Sequence, residues 1–149
     1  MNKLLTGLAV WTLFMFIMGM LFPIQTTSGA NQFGMILQSY TIYGFFSLIP
    51  IVFFGSIVSF IADFLARQAE KHFNTISFIL HLIGGSLAYL FTYNIDITIM
   101  AMIAAMLFFV ADRSFWIISR MPNRQYMAKN LPIVLGVVGV TAMVMGSSM

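Results

Sequence analysis

From Leu4 to Ile24 the chain runs for 21 residues without a charged side chain, and apolar runs of similar length recur along the rest of it. At about 1.5 Å of rise per residue, a helix of roughly 20 residues crosses the roughly 30 Å of hydrocarbon in a bilayer. Inside hydrocarbon the backbone must satisfy its own hydrogen bonds, which a helix does within one segment. The expected fold is therefore all-α: a polytopic transmembrane helical bundle of four to five spans, forming one integral membrane domain over residues 1–149. Composition agrees. Apolar residues make up 60% and charged residues 7%, against about a quarter charged in soluble domains, so a water-soluble fold could not cover itself.

The spans are expected at about 4–24, 41–65, 74–93, 97–118 and 131–147. Ser28 and Ala30 would suit a signal-peptide cleavage site, but the first run exceeds the roughly 7 to 15 residues of a leader's apolar region, and the reading favours a retained anchor. Span two contains Pro50, whose missing N–H and ring predict a kink. In span three, Gly84 and Ala88 have the small-x-x-x-small spacing that lets membrane helices approach, and Ala101 and Ala105 repeat it in span four. Only Asn94 to Asp96 separates those two spans, which predicts an antiparallel hairpin. Span four is apolar to Ala111; the economical reading carries it past Asp112 and Arg113 to Ile118, with Trp116 at headgroup level. The last run opens at Leu131–Pro132, a good helix start, and a count of five depends on it.

Basic residues predict the orientation. With the N-terminus in the cytoplasm, Lys3, Arg67, Lys71, Arg113, Arg120, Arg124 and Lys129 all fall inside, and the outer loop from Gln25 to Tyr40 has no Lys or Arg. The stretch RQAEKHF is then a cytoplasmic elbow, and Tyr40, Tyr43 and Tyr93 form an outer aromatic belt. The net charge of +3 is explained by this asymmetry, so no nucleic-acid partner is expected.

Polar residues within apolar runs are expensive and mark sites. Asp63 has Arg67 one turn on as its simplest partner, which would make an interfacial ion pair. Ser77 and His81 are four apart on the opposite arm of the elbow and share a helical face. Ser56, Ser59 and Asp63 form a stripe on span two, and Asp112 with Arg113 sits at the inner end of span four. Asp63, Ser77, His81, Asp112 and Arg113 are therefore the candidate intramembrane cluster. An Asp/His pair at that depth could relay protons; the plainer role of His81 is a neutral imidazole bonded between helices.

Other chemistry finds no support in the sequence. There is no cysteine, hence no disulfide or thiolate. The thirteen methionines are scattered along apolar runs, where they fill gaps. Ser, His and Asp occur without the glycine-rich turn of a nucleophile elbow, and no metal-ligand spacing, phosphate loop or dinucleotide fingerprint is present. Gly136 and Gly139 lie in an apolar run and read as packing. No catalytic residue, metal or cofactor is expected.

From Thr41 to Phe91 an aromatic-rich helix ends in S-x-x-x-D (Ser59, Asp63), a basic elbow follows, and then S-x-x-x-H-x-x-x-G (Ser77, His81, Gly85). This third of the chain resembles a group of small multi-pass membrane proteins of bacilli. The resemblance implies a bacterial plasma-membrane location and no particular activity.

The expected function is that of a non-enzymatic accessory or assembly protein, whose partners are the lipid bilayer and either a second copy or another membrane protein. The alternative is a small oligomeric transporter or channel with Asp63 and His81 as a protonation site. Small multidrug exporters rely on a Glu in the first span, and the first span here has no acidic residue.

Overall fold

A computed structural model describes residues 2–24 and 31–148, without the side chains of 69–71. The expected connector residues Gln25 to Ala30, including Ser28 and Ala30, and the side chains of Glu70 and Lys71 lie outside the described residues. Five helices are long and apolar enough to cross a membrane: α1 (Lys3–Leu21), α2 (Gln32–Ala66), α3 (Phe73–Thr92), α4 (Ile95–Arg120) and α5 (Gln125–Ser147). Every regular element among the described residues is helical, so the all-α bundle holds and the upper count of spans applies.

α1 is apolar on all sides, and a helix of that kind belongs in an interior. Trp11, Val10 and Met15 have no exposed surface, and α1 packs against α2, α4 and α5. α3 completes the bundle on α2 and α4. The lipid-like surround takes the remaining faces: Phe45, Phe46, Phe60, Phe64 and Phe91 are all exposed, an apolar surface far too continuous for water. α1 thus supplies much of the core and, through Lys3, part of the charged cluster.

Association of helices in hydrocarbon relies on close packing and interhelical hydrogen bonds, and both are visible. The Trp11 indole donates to the Gly44 carbonyl at 2.8 Å. Thr12 donates to the Leu135 carbonyl at 2.9 Å and Thr41 to the Met143 carbonyl at 2.7 Å, which ties α5 to α1 and α2. At Gly7 a Cβ would sit 3.0 Å from the Val52 Cα, so the absence of a side chain sets the α1–α2 approach.

Two boundaries differ from expectation. α2 begins at Gln32, not Thr41, because the Asn31 side chain accepts from the Gly34 N–H at 2.7 Å and caps a helix whose first turns run beyond the end of α1. α5 begins at Gln125, not Leu131. Good helix formers (Gln125, Met127, Ala128, Lys129) carry it before the apolar run. Pro132 is then interior to α5 and buried, and its missing N–H forgoes one bond to the Ala128 carbonyl.

The other boundaries fall within three residues of expectation, the largest difference being the end of α1 at Leu21, before Pro23. α4 continues through Asp112 and Arg113 to Arg120. The α3–α4 hairpin turns at Tyr93, which takes a left-handed conformation (φ 50°), and at Asn94, which caps α4 by accepting from the Ile97 N–H at 3.2 Å. At Pro50 the helix continues through a π-helical turn, Pro50–Phe54, closed by a Gly55 N–H bond to the Pro50 carbonyl. The extra residue in that turn re-phases α2, which then buries Ser56, Ser59, Ala62 and Asp63 on one face. The elbow from Arg67 to His72 is a 3₁₀ segment.

Candidate functional site: a buried ion-pair cluster

Alternating helix directions bring the start of α1, the end of α2, the start of α3 and the last third of α4 to one end of the bundle. There Lys3 Nζ lies 2.6 Å from Asp63 Oδ2 and 2.7 Å from Asp112 Oδ2. Arg113 Nη2 donates to Asp63 Oδ1 at 2.8 Å and to Ser77 Oγ at 2.9 Å, while the Ser77 hydroxyl donates to the same Asp63 Oδ1 at 3.0 Å. Two carboxylates and two cations thus neutralise one another, and the network links four helices. The Asp63 and Asp112 side chains are only 12% and 7% exposed, so water screens the pairs weakly. The Arg113 guanidinium also stacks over Phe73 at 4.4 Å, a cation–π contact from the first residue of α3.

Four of the five sequence candidates, Asp63, Ser77, Asp112 and Arg113, come together in this network. His81 does not join it. Its Nδ1 is 2.7 Å from the Ser77 backbone carbonyl in its own helix, and its ring packs against Phe108 and Phe109 of α4. The expected bond between helices is therefore replaced by a bond within α3 and by ring packing. Because a carbonyl only accepts, Nδ1 carries the proton in the neutral ring and Nε2 presents a lone pair. The Ser77 hydroxyl goes to Asp63 and not to the imidazole.

The simple Asp63–Arg67 pair is also replaced. Asp63 faces the bundle interior, where Lys3 and Arg113 hold it, and Arg67 is exposed. Lys3 is the member that the sequence reading used only for orientation. A signal existed: Asp63 and Asp112 need two cations, Arg113 supplies one, and Lys3 is the basic residue at the same end of an adjoining span.

Ser56 extends the cluster toward α1, its hydroxyl lying 3.0 Å from the Lys3 carbonyl and 2.5 Å from the Val52 carbonyl. Three buried polar atoms have no hydrogen-bond partner among the described residues: Ser59 Oγ, Arg113 Nε and His81 Nε2. No group of three or more metal-ligating side chains occurs among the described residues.

The small-residue faces are occupied from within. A Cβ on Gly85 would lie 3.0 Å from the Ala101 carbonyl and 3.1 Å from the Ala105 side chain, so that spacing seats α3 on α4; Gly84 meets Val58 of α2. Beside them a cavity of about 900 Å³ opens laterally between α2, α3 and α4 and is walled almost wholly by carbon. No family model, no curated protein and no solved structure matches this chain.

Proposed function

We propose that this chain is a non-enzymatic multi-pass protein of a bacterial plasma membrane, N-terminus in the cytoplasm, acting as an accessory or assembly component through contacts in the plane of the bilayer. One observation carries the reading: the charged side chains inside the bundle are spent on one another. Lys3, Asp63, Asp112 and Arg113 form a closed set of ion pairs, an arrangement that fixes helix register and leaves neither buried carboxylate without a cation. What the protein offers outward is its broad apolar surface.

The transporter reading has less geometric support. A protonation site needs a carboxylate that can release its cations, and Asp63 is held from both oxygens by two of them plus a serine. His81 is bonded elsewhere, at Ser77's carbonyl.

The test is cross-linking of a tagged copy in native membranes, extraction in mild detergent and identification of what co-purifies. A stoichiometric second membrane protein is the expected result. Recovery of self-oligomers alone, together with a pH-dependent flux lost in Asp63→Asn at normal abundance, would replace this proposal with transport.

A further inference from the structure

Among the described residues, four polar side chains line the lateral cavity: Tyr43, Ser47, His81 and Thr92. Tyr43 donates to the Phe22 carbonyl at 3.0 Å, Ser47 to the Tyr43 carbonyl at 2.5 Å and Thr92 to the Ala88 carbonyl at 2.9 Å. His81 is different. It is 1% exposed, and its Nε2, at the far tip of the ring, has no hydrogen-bond partner among the described residues. With Nδ1–H donating to Ser77, that nitrogen is an acceptor. An unpaired buried acceptor is costly, so the complementary occupant brings a single O–H or N–H donor.

Size and depth narrow the class. From His81 to Thr92, both on the cavity wall, α3 rises about 16 Å, half of a bilayer's hydrocarbon. His81 itself stands eight residues into α3 from Phe73, about 12 Å from the helix start and hence near the middle of the bilayer. A phosphate-bearing headgroup at that depth would lose its hydration at great cost, whereas one hydroxyl loses little once it is hydrogen-bonded. The open side of the cavity faces lipid, and its wall of Pro50, Phe54, Gly84, Ala88 and Phe108 suits a hydrocarbon chain.

We propose that the cavity between α2, α3 and α4 binds a neutral long-chain lipid bearing a hydroxyl, whose O–H donates to His81 Nε2 while its chain lies along the wall toward the Thr92 end. This goes beyond the accessory role. It rests on the chain being membrane-embedded and not on any protein partner.

The experiment uses the full chain in phosphatidylethanolamine–phosphatidylglycerol vesicles with two probes, a diazirine-bearing long-chain alcohol and its methyl ether. The alcohol should label cavity-lining peptides about tenfold more than the ether, the worth of one buried hydrogen bond. His81→Leu should bring the ratio to one, and Ala88→Phe should cut labelling by both probes by filling the wall. Equal labelling of the wild-type protein by alcohol and ether, or label spread evenly over lipid-facing positions such as Phe60 and Val137, would overturn the proposal. If His81→Leu fails to fold, the wild-type ratio and Ala88→Phe still decide. Loss of lipid selectivity would leave the co-purification result untouched, so the two proposals fail separately.

Discussion

Lys3 is the residue on which the charged end of the bundle turns, because it bridges Asp63 and Asp112. Removing one member of a buried ion pair leaves an uncompensated charge and costs about 3–5 kcal/mol, far more than the pair contributes net. Lys3→Met should therefore destabilise the protein by about that amount in a denaturant titration in mixed micelles. Lys3→Met combined with Asp112→Asn should lose clearly less, since the charge count balances again. A single-variant loss below about 1 kcal/mol would mean that water screens the site as it does a surface pair. The Trp11 indole gives a second, independent measure. Trp11→Phe removes the indole N–H that donates to the Gly44 carbonyl and leaves part of a fully buried side chain's volume empty, and should cost about 1–3 kcal/mol by the same titration. Of the cluster, Asp63, Ser77, Asp112 and Arg113 were legible in the sequence as polar residues at matching depth. The partnership with Lys3 was legible only by matching charges across spans, since helix spacing ranks only neighbours on the same helix, and the true partner is 60 residues away. His81 stands apart from the network for a related reason. Periodicity places it on the Ser77 face but says nothing of its ring, which turns back to a carbonyl one turn earlier.

At the scale of single helices, apolar length and punctuation carried most of the information. The hairpin at Asn94 and the continuation of α4 past Arg113 were readable, because a cap and an amphipathic turn are local signals. The starts of α2 and α5 were not, since Gln32, Gln38 and Ser39 in the one and Gln125, Lys129 and Asn130 in the other interrupt the apolar pattern ahead of the runs that define a span. Glycines within α5 show how packing overrides propensity. At Gly136 an added Cβ would meet Leu8 at an ordinary 3.5 Å. Gly136→Ala should then be neutral or stabilising by up to about 1 kcal/mol, the usual helix preference for Ala. At Gly139 the same methyl would run into Thr12 Oγ and lie 2.7 Å from Trp11 Cζ3. Gly139→Ala should cost about 1–3 kcal/mol as α5 is pushed from α1. Opposite signs for two glycines three residues apart, read in the same titration, would establish that the α1–α5 seam is as tight as described; equal effects would not.

For the whole molecule, five spans and the placement of the basic residues constrain each other. Lys3, Arg67, Arg113, Arg120, Arg124 and Lys129 lie at one end of the bundle, while Asp96 lies in the first turn of α4 at the other. The positive-inside rule predicts that this first end faces the cytoplasm. With five spans the C-terminus is then expected outside. A fluorescent reporter that matures only in the cytoplasm should stay dark when fused after Met149, while alkaline phosphatase at the same point should be active. The converse fusions between Arg120 and Gln125 should give the opposite pair. A bright fusion at Met149 would require α5 to lie along the membrane instead of across it. That would conflict with its burial of Pro132, Gly136 and Gly139 and with the Thr12 and Thr41 hydroxyls that bond its carbonyls at positions 135 and 143. These contacts are spaced along α5 by eight residues, about 12 Å of helix, so α5 cannot leave the bundle without exposing the core around Trp11. The C-terminal reporter therefore tests the packing of α1 and the orientation of the chain together.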